Sequence, residues 1–234
     1  MLKSNIVWDI RQDSKGLIWI ATNLGINFYN PTTERISSEY NLDLIVGNKI
    51  IKYIFEDKSG IIWIGTEEDG LYKLQSFSRI EHYLYTVNIS TSLSSNQINT
   101  IYEDESGIIW IGTQSGVDKF DKQKQYFQHY QYWPNMSNTI NSNMVWSIFQ
   151  DNSDDEKLWV GTDKGVNIFD AKTGKVNYII PDFSKENKQK NKSVYSIFKD
   201  HNNQILIGTD GGVFYAETDV LKPLGGILNK QNRE

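Results

Sequence analysis

Apolar residues stand in short strand-like runs that recur at a nearly even spacing along the 234 residues of the chain. The sharpest run is Gly107-Ile108-Ile109-Trp110-Ile111-Gly112-Thr113, followed by Gly116, and counterparts run from Gly16 to Thr22, Gly60 to Thr66, Lys157 to Thr162 and Asn203 to Thr209. Their central residues are Trp19, Trp63, Trp110, Trp159 and Leu206, placed 44, 47, 49 and 47 residues apart. Self-similarity at such a period marks a propeller or another repeat array.

Each repeat reads as one supersecondary unit. Val7, Ile51, Ile98, Val145 and Val194 are each followed three residues later by Ile10, Ile54, Ile101, Ile148 and Ile197, opening a strand rich in β-formers. That strand stops at turns such as Asp57-Lys58-Ser59-Gly60 and Asp104-Glu105-Ser106-Gly107, where Asp or Ser bonds the backbone locally and Gly supplies positive φ. A second strand carries the Trp and ends in Gly-Thr, or Ala21-Thr22 in the first copy. After a gap of two or three residues a third strand follows, as in Gly165-Val166-Asn167-Ile168-Phe169, and aromatic-rich segments such as Tyr126 to Tyr130 complete the unit as outer strands. Four short antiparallel strands per repeat is one propeller blade. The predicted fold is therefore all-β, a β-propeller of five four-stranded antiparallel blades, with units at about 4–47, 48–94, 95–141, 142–190 and 191–228 of a single domain. The first repeat shows no polar capping face over Ile6, Val7, Trp8 and Ile10. Either the ring closes on five blades, which the completeness of all five units favours, or the chain is an arc of a larger propeller.

Charge narrows the partners. Twenty-four basic and 29 acidic residues are scattered to a net −5, without the basic stripe that phosphate backbones require, so nucleic acid is excluded as a partner. The densest basic stretch, Lys185 to Lys192, contains Glu186 and reads as a solvated loop. There is no cysteine, which excludes disulfides and thiolate metal sites. No stretch has the length of a membrane span and no leader pattern stands at the start, so direct membrane insertion is not expected. Leu2 to Val7 corresponds to Leu93 to Ile98, which a full outer strand precedes, as a segment taken from a longer protein would show.

Departures from the repeat mark the candidate chemistry. The position after the first apolar residue of the inner strand varies among Trp8, Lys52, Asn99, Trp146 and Tyr195, unlike uniform core. An aromatic there is either structural or lines the channel and touches ligand. Glu67-Glu68-Asp69 lengthens one turn with three acids, and Asp151-Asn152-Ser153-Asp154-Asp155 resembles a calcium loop without its central Gly and closing Glu; both read better as solvated turns than as metal sites. The long connections Tyr83 to Ser95, Tyr130 to Asn143 and Ile180 to Lys192 include Trp133-Pro134, a binding platform or a lid over a blade edge. Leu206 replaces Trp in the fifth blade, and the tail from Leu221 offers a last outer strand as far as Leu228.

Catalysis finds little support, since His82, His129 and His201 fall at unrelated positions of their repeats and the recurring Asp13, Asp57, Asp104, Asp151 and Asp200 serve turns. No cofactor or metal is implied. The string Asp-x-Ser-Gly-x-Ile-Trp-Ile-Gly-Thr-x-x-Gly, best matched at Asp57 to Gly70 and Asp104 to Gly116, resembles the two-component regulator propeller repeat. That resemblance implies a sensor region of a bacterial hybrid histidine kinase on the periplasmic side of a longer membrane receptor, with an oligosaccharide or another small polar molecule as its ligand. Further receptor modules, further blades or a homo-oligomer are the other partners it admits, and an interaction scaffold without a small ligand is the alternative function.

Blade connections alternate between faces, so the turn between second and third strands shares a face with the entry to the innermost strand. This set varies in chemistry where the Asp-x-Ser-Gly turns on the opposite face are alike, and variation on a fixed scaffold is how loops acquire specificity. The expected ligand-binding residues are Trp8, Asn23, Glu67, Asp69, Gln114, Trp133, Trp146, Asp163, Lys164, Tyr195 and Asp210. Asn5, Asn48, Asn96 and Asn143 enter on the same face, with capping of their own turns as the expected role.

Overall fold

The computed structural model describes residues 1–38, 40–151, 157–179, 193–217 and 220–223. The turn at Asp151 to Asp155 beyond its first residue, the connection Ile180 to Lys192 and the tail beyond Pro223 lie outside the described residues. The chain forms five four-stranded antiparallel sheets, each with its strands in sequence order, which are the blades of a β-propeller. They divide between two compact units, one of residues 1–114 and 118–129 and the other of residues 115–117 and 130–234.

The first blade contains β1 (Val7–Gln12), β2 (Ile18–Thr22), β3 (Gly25–Asn30) and β4 (Arg35–Ser37). A short helix, α1 (Tyr40–Val46), leads to the second blade of β5 (Ile51–Glu56), β6 (Ile62–Thr66), β7 (Leu71–Ser76) and β8 (Arg79–Tyr83). The third holds β9 (Ile98–Glu103), β10 (Ile109–Thr113), β11 (Gly116–Asp121) and β12 (Tyr126–Tyr130). The fourth holds β13 (Val145–Gln150), β14 (Lys157–Thr162), β15 (Gly165–Asp170) and β16 (Val176–Ile179). The fifth holds β17 (Val194–Lys199), β18 (Ile205–Thr209), β19 (Gly212–Glu217) and β20 (Val220–Pro223).

Blades stack by a plug-and-socket contact. Trp19 and Ala21 of the first blade share a core with Ile51 and Ile54 of the second, and Trp63 of the second shares one with Ile98 and Ile101 of the third. In the second unit Trp159 shares a core with Val194 of the fifth blade. The Gly of Gly-Thr makes room for the plug: a Cβ on Gly65 would lie 2.6 Å from Ile98 Cγ2, and one on Gly161 would lie 2.7 Å from Val194 Cγ1. The four Trp of the second strands are buried as predicted.

Each of three turn aspartates does more than close its hairpin. Asp13, Asp57 and Asp104 accept the indole N–H of Trp19, Trp63 and Trp110 at 2.8, 3.0 and 2.7 Å. The conserved spacing of six within these repeats is thus one polar device, a carboxylate that satisfies both the turn amides and the buried ring. Glutamates at the ends of β5 and β9 then tie neighbouring blades, Glu56 accepting from the Ser14 amide at 2.6 Å and Glu103 from the Lys58 amide at 2.6 Å.

One element was not foreseen and one expectation is corrected. The entry to the second blade contains the helix α1. Leu42 and Val46, four residues apart, bury one helical face, and Gly47 follows at the helix end with its amide on Asp43 O at 2.9 Å. The correction concerns the entry asparagines. Asn96 and Asn143 do not cap their own turns; their Oδ1 atoms accept the amides of Tyr85 and Tyr132, eleven residues earlier, at 2.7 and 2.6 Å. Serines make the local turns instead, with Ser95 accepting from Gln97 N and Ser142 from Met144 N.

Candidate functional site: the bulge positions and the varied turns

Every inner strand carries a β-bulge at the same place. Val7 pairs with Thr22 and Asp9 with Ala21, which leaves Trp8 as the extra residue. The same shift frees Lys52, Asn99, Trp146 and Tyr195 from the ladder in the other four blades. The variable position of the sequence is therefore the bulge residue of each blade, a place where sheets re-aim a side chain.

The turn after Gly-Thr is held equally firmly. Thr22, Thr66, Thr162 and Thr209 each donate a hydroxyl to the carbonyl of the following Gly, at 2.9, 2.9, 3.1 and 2.9 Å. Their hydroxyls also accept a turn amide, from Leu24, Asp69, Lys164 and Gly211. The Thr fixes the backbone, so the residue just after it is free to vary: Asn23, Glu67, Gln114, Asp163 and Asp210.

Bulge residue and post-threonine residue meet in the first, second and fifth blades. In the first unit the Trp8 indole donates to Asn23 Oδ1, and Lys52 Nζ lies 3.4 Å from Glu67 Oε2. The ammonium of Lys52 also sits 3.1 Å from the centroid of the half-exposed Trp8 ring, so the two blades form one chain Asn23, Trp8, Lys52, Glu67. Beside it a cavity of about 380 Å³ is lined by Asn48, Lys49, Ile50, Thr66, Glu67, Glu68 and Asp69. Asp69 lies 2.6 Å from Lys49 and accepts from Tyr72, whose ring stacks on His82 at 4.0 Å. Burial opposes ionisation of Asp69, but the hydrogen bonds from Lys49 and Tyr72 outweigh it and hold the carboxyl below its usual range. The Tyr72 phenol is pushed up, by burial first and by Asp69 second. Gln114 is exposed, and its amide donates to Gln97 O at 3.3 Å.

In the second unit the Trp146 and Tyr195 rings lie 5.5 Å apart at 56°. Tyr195 is hydrogen-bonded to Asp210, which raises the phenol pKa. Trp146 and Asp163 hold the positions of Trp8 and Asn23, yet the Trp146 indole N–H and Asp163 Oδ1 are buried and without a hydrogen-bond partner among the described residues. Lys164 extends over the Tyr132 ring at 5.2 Å. Trp133 stands 56% exposed on its loop.

Sequence reasoning grouped these positions by face but missed their pairing. The signal was present, because each bulge residue is accompanied by an Asn, Glu, Gln or Asp fifteen or seventeen residues on, immediately after Thr. On the opposite face, a cavity of about 530 Å³ borders the Asp-x-Ser-Gly turns of the second and third blades, and Lys122 there lies 2.8 Å from Asp57 and 2.7 Å from Glu103. No group of three or more His, Cys, Asp or Glu with metal-holding geometry occurs among the described residues.

The inner-strand, turn and Trp-strand pattern is what a family comparison recognises. Residues 1–24, 45–68 and 92–115 match the two-component regulator propeller family. These three segments are similar to two-component regulator propeller repeats. Among solved structures, these repeats align with the extracellular domain assigned to the hybrid two-component system BT3049 from B. thetaiotaomicron, at a TM-score of 0.76 and 24% identity over 94% of this chain and 30% of that one. The extracellular domain assigned to BT4673 of the same organism gives 0.63 and 24% over 96% and 32%. Virginiamycin B lyase from Staphylococcus aureus, an enzyme, gives 0.66 at 13% identity over 91% and 67%. The chain thus spans about a third of the length of the two-component relatives, and at these identities the likeness speaks to the propeller fold. No curated protein matches.

Proposed function

We propose that this propeller is a ligand-sensing segment of a bacterial hybrid two-component receptor, held on the periplasmic side, and that it binds a small polar ligand of the oligosaccharide class without catalysing a reaction on it. The observation that carries the reading is the pairing of bulge and turn. A rigid backbone repeats in every blade, while the two side chains it presents at this position differ each time: Trp8 with Asn23, Lys52 with Glu67, Asn99 with Gln114, Trp146 with Asp163 and Tyr195 with Asp210. Structural duty has been assigned to the Thr, Gly and Asp that do not change.

The chemistry suits sugars. Half-exposed Trp8 and Tyr195 offer faces for stacking, and the amides and carboxylates beside them match hydroxyl groups. In the second unit, the unsatisfied donor of Trp146 and acceptor of Asp163 would both gain from a hydroxyl that gives and takes a proton. In the first unit, the 380 Å³ cavity lies in the range of small-ligand sites. The relation to extracellular domains of two-component systems supports the receptor context.

Isothermal titration against a panel of oligosaccharides tests the reading, followed by Trp146→Ala and Gln114→Ala in protein shown to be folded. The expected result is a binding glycan whose affinity falls at least about tenfold, or 1.4 kcal/mol, on one of these substitutions. A ligand indifferent to both, but lost when the Asp104 to Gly107 turn is altered, would place the site on the opposite face.

A further inference from the structure

In the third blade a buried link between strand and entry segment is built from ionisable groups where its counterparts are neutral. The fourth blade shows the neutral form. Asn167, fully buried on β15, accepts the Asn141 amide at 2.9 Å and donates to Asn141 Oδ1 at 2.9 Å, an oxygen that also accepts the Thr162 hydroxyl at 2.7 Å. The first blade repeats the start of this link, with the Lys3 amide on Asn27 Oδ1 at 2.9 Å. A neutral amide therefore suffices to hold an entry segment on its blade.

At the same position of β11 stands Asp118, also fully buried. Its Oδ2 accepts the Ser94 amide at 2.8 Å, and the Ser94 hydroxyl lies 3.0 Å from that of Thr113, the residue before Gln114. Its Oδ1 lies 2.7 Å from Nδ1 of His129 on β12. Two residues along the same strand, the Phe127 amide donates to Thr91 O at 3.2 Å, so the entry segment is tied to both β11 and β12. The partners of the His129 ring decide its charge. A carboxylate only accepts, and the ring's other contact, with the Ser90 backbone, favours the protonated form as a carbonyl acceptor does. Neutral imidazole has one N–H and serves one acceptor, whereas the imidazolium serves both. The surroundings add no competing charge: residues 84–97 of the entry segment contain no Asp, Glu, Lys, Arg or His, and Lys119 of β11 extends over Trp110 instead. From β8 the Tyr83 phenol, bonded to Glu81, packs against Phe127, and β12 itself contributes Tyr126 and Tyr130.

We propose that His129 is a proton-operated latch on the entry segment of the third blade: the imidazolium holds residues 90–94 against β11 and β12, and its deprotonation loosens them together with the Thr113 turn that presents Gln114. The consequence for ligand rests on the sensing proposal, of which Gln114 is a contact, but the latch itself does not. Loss of the proton leaves the Asp118 carboxylate buried without a counter-charge and takes the donor from Ser90. The hydrogen bond with Asp118, against partial burial, raises the histidine pKa. The hold is therefore complete below the unfolded pKa of about 6.5 and is lost as pH rises through the folded value. The first and fourth blades, with Asn27 and Asn167 in place of the carboxylate, carry no such dependence.

Hydrogen exchange of the ligand-free protein, read by mass spectrometry from about pH 5.5 to about pH 8.5 and corrected for the intrinsic pH dependence of exchange, gives the test alongside an NMR titration of the His129 ring. Protection of residues 84–96 is expected to fall across this range by about tenfold for each unit by which the measured His129 pKa exceeds 6.5. Residues 131–143, held by the amide link of the fourth blade, should keep their protection. Asp118→Asn installs the amide of the first and fourth blades, and should return the His129 pKa towards about 6.5 and make protection of 84–96 independent of pH. It leaves untouched His82, whose ring stacks on Tyr72. His129→Gln, at a partly exposed position, should flatten the profile in the same way and serves if the first variant does not fold. Protection of 84–96 that is constant with pH in the wild type, or that falls equally in wild type and variant, overturns the inference. Glycan binding is read separately by calorimetry, so either proposal can fail without the other.

Discussion

Replacing Lys122 by Met removes a cation shared by two buried carboxylates. Its ammonium lies 2.8 Å from Asp57 Oδ2 and 2.7 Å from Glu103 Oε1, whose side chains are 0% and 3% exposed. Removing one partner of a buried pair costs about 3–5 kcal/mol, because the partner left behind stays charged and desolvated. Two features lower the figure here. The lysine is itself a quarter exposed, and Asp57 keeps the Trp63 indole at 3.0 Å and the Ser59 and Ile61 amides at 2.9 and 3.0 Å. We therefore expect about 2–4 kcal/mol, a large share of the ~5–15 kcal/mol typical of a folded domain. Urea unfolding followed by tryptophan fluorescence reads this as a midpoint lower by about 1 M, for a slope of 2–3 kcal/mol per molar. The pH dependence supplies a second readout. Burial opposes ionisation of Asp57, but hydrogen bonds from Lys122 and Trp63 prevail and hold its folded pKa down. A depressed carboxylate contributes stability above its unfolded pKa of about 3.9, and that contribution is lost as pH falls through the lower folded value. Wild-type protein should thus lose stability below about pH 4, and Lys122→Met should start lower and lose less. A midpoint within error of wild type, with the same acid limb, would refute the reasoning.

Other substitutions separate core from surface. Trp110→Ala removes a fully buried indole and leaves Asp104 Oδ2 without that donor, and should cost about 3–5 kcal/mol or more in chemical denaturation. Trp133→Ala, at a half-exposed ring, should stay within about 0.5 kcal/mol in the same assay. His129 lies 2.7 Å from the fully buried Asp118 side chain, and this hydrogen bond, against some burial, raises its pKa. A raised histidine contributes stability that is full below its unfolded pKa of about 6.5 and is lost as pH rises through the folded value, so His129→Gln should flatten a decline in melting temperature above about pH 6.5.

The blades were legible because their makers repeat. The Val-x-x-Ile plug, the Trp strand and the Gly-Thr end recur at one period, so a single chance match carries no weight against five. What escaped was whatever occurs once or acts across a turn. Helix α1 rests on Leu42 and Val46 packing against the first two blades, a tertiary decision on a stretch too short to announce a helix by propensity. In the first, third and fourth blades Asn27, Asp118 and Asn167 accept the amides of Lys3, Ser94 and Asn141 in the entry segment. The second blade, whose entry is helical, has Tyr72 at that position, and its hydroxyl donates to Asp69 instead. That substitution could be read only once the helix was seen. The bulge was hidden for a different reason. Sequence shows that Trp8, Lys52, Asn99, Trp146 and Tyr195 vary, but only the register, with Val7 opposite Thr22 and Asp9 opposite Ala21, shows that each has left the ladder.

The central claim is that bulge side chains and the residues after Gly-Thr form the ligand surface of these repeats. Backbone hydrogen exchange read by mass spectrometry, with and without a glycan that binds, tests it most directly. The account predicts slowed exchange in peptides covering Asn23 to Gly25 and Glu67 to Gly70, or Asp163 to Gly165 and Asp210 to Gly212, with no change at Asp57 to Gly60 or Asp104 to Gly107. Protection confined to those last two turns would contradict it.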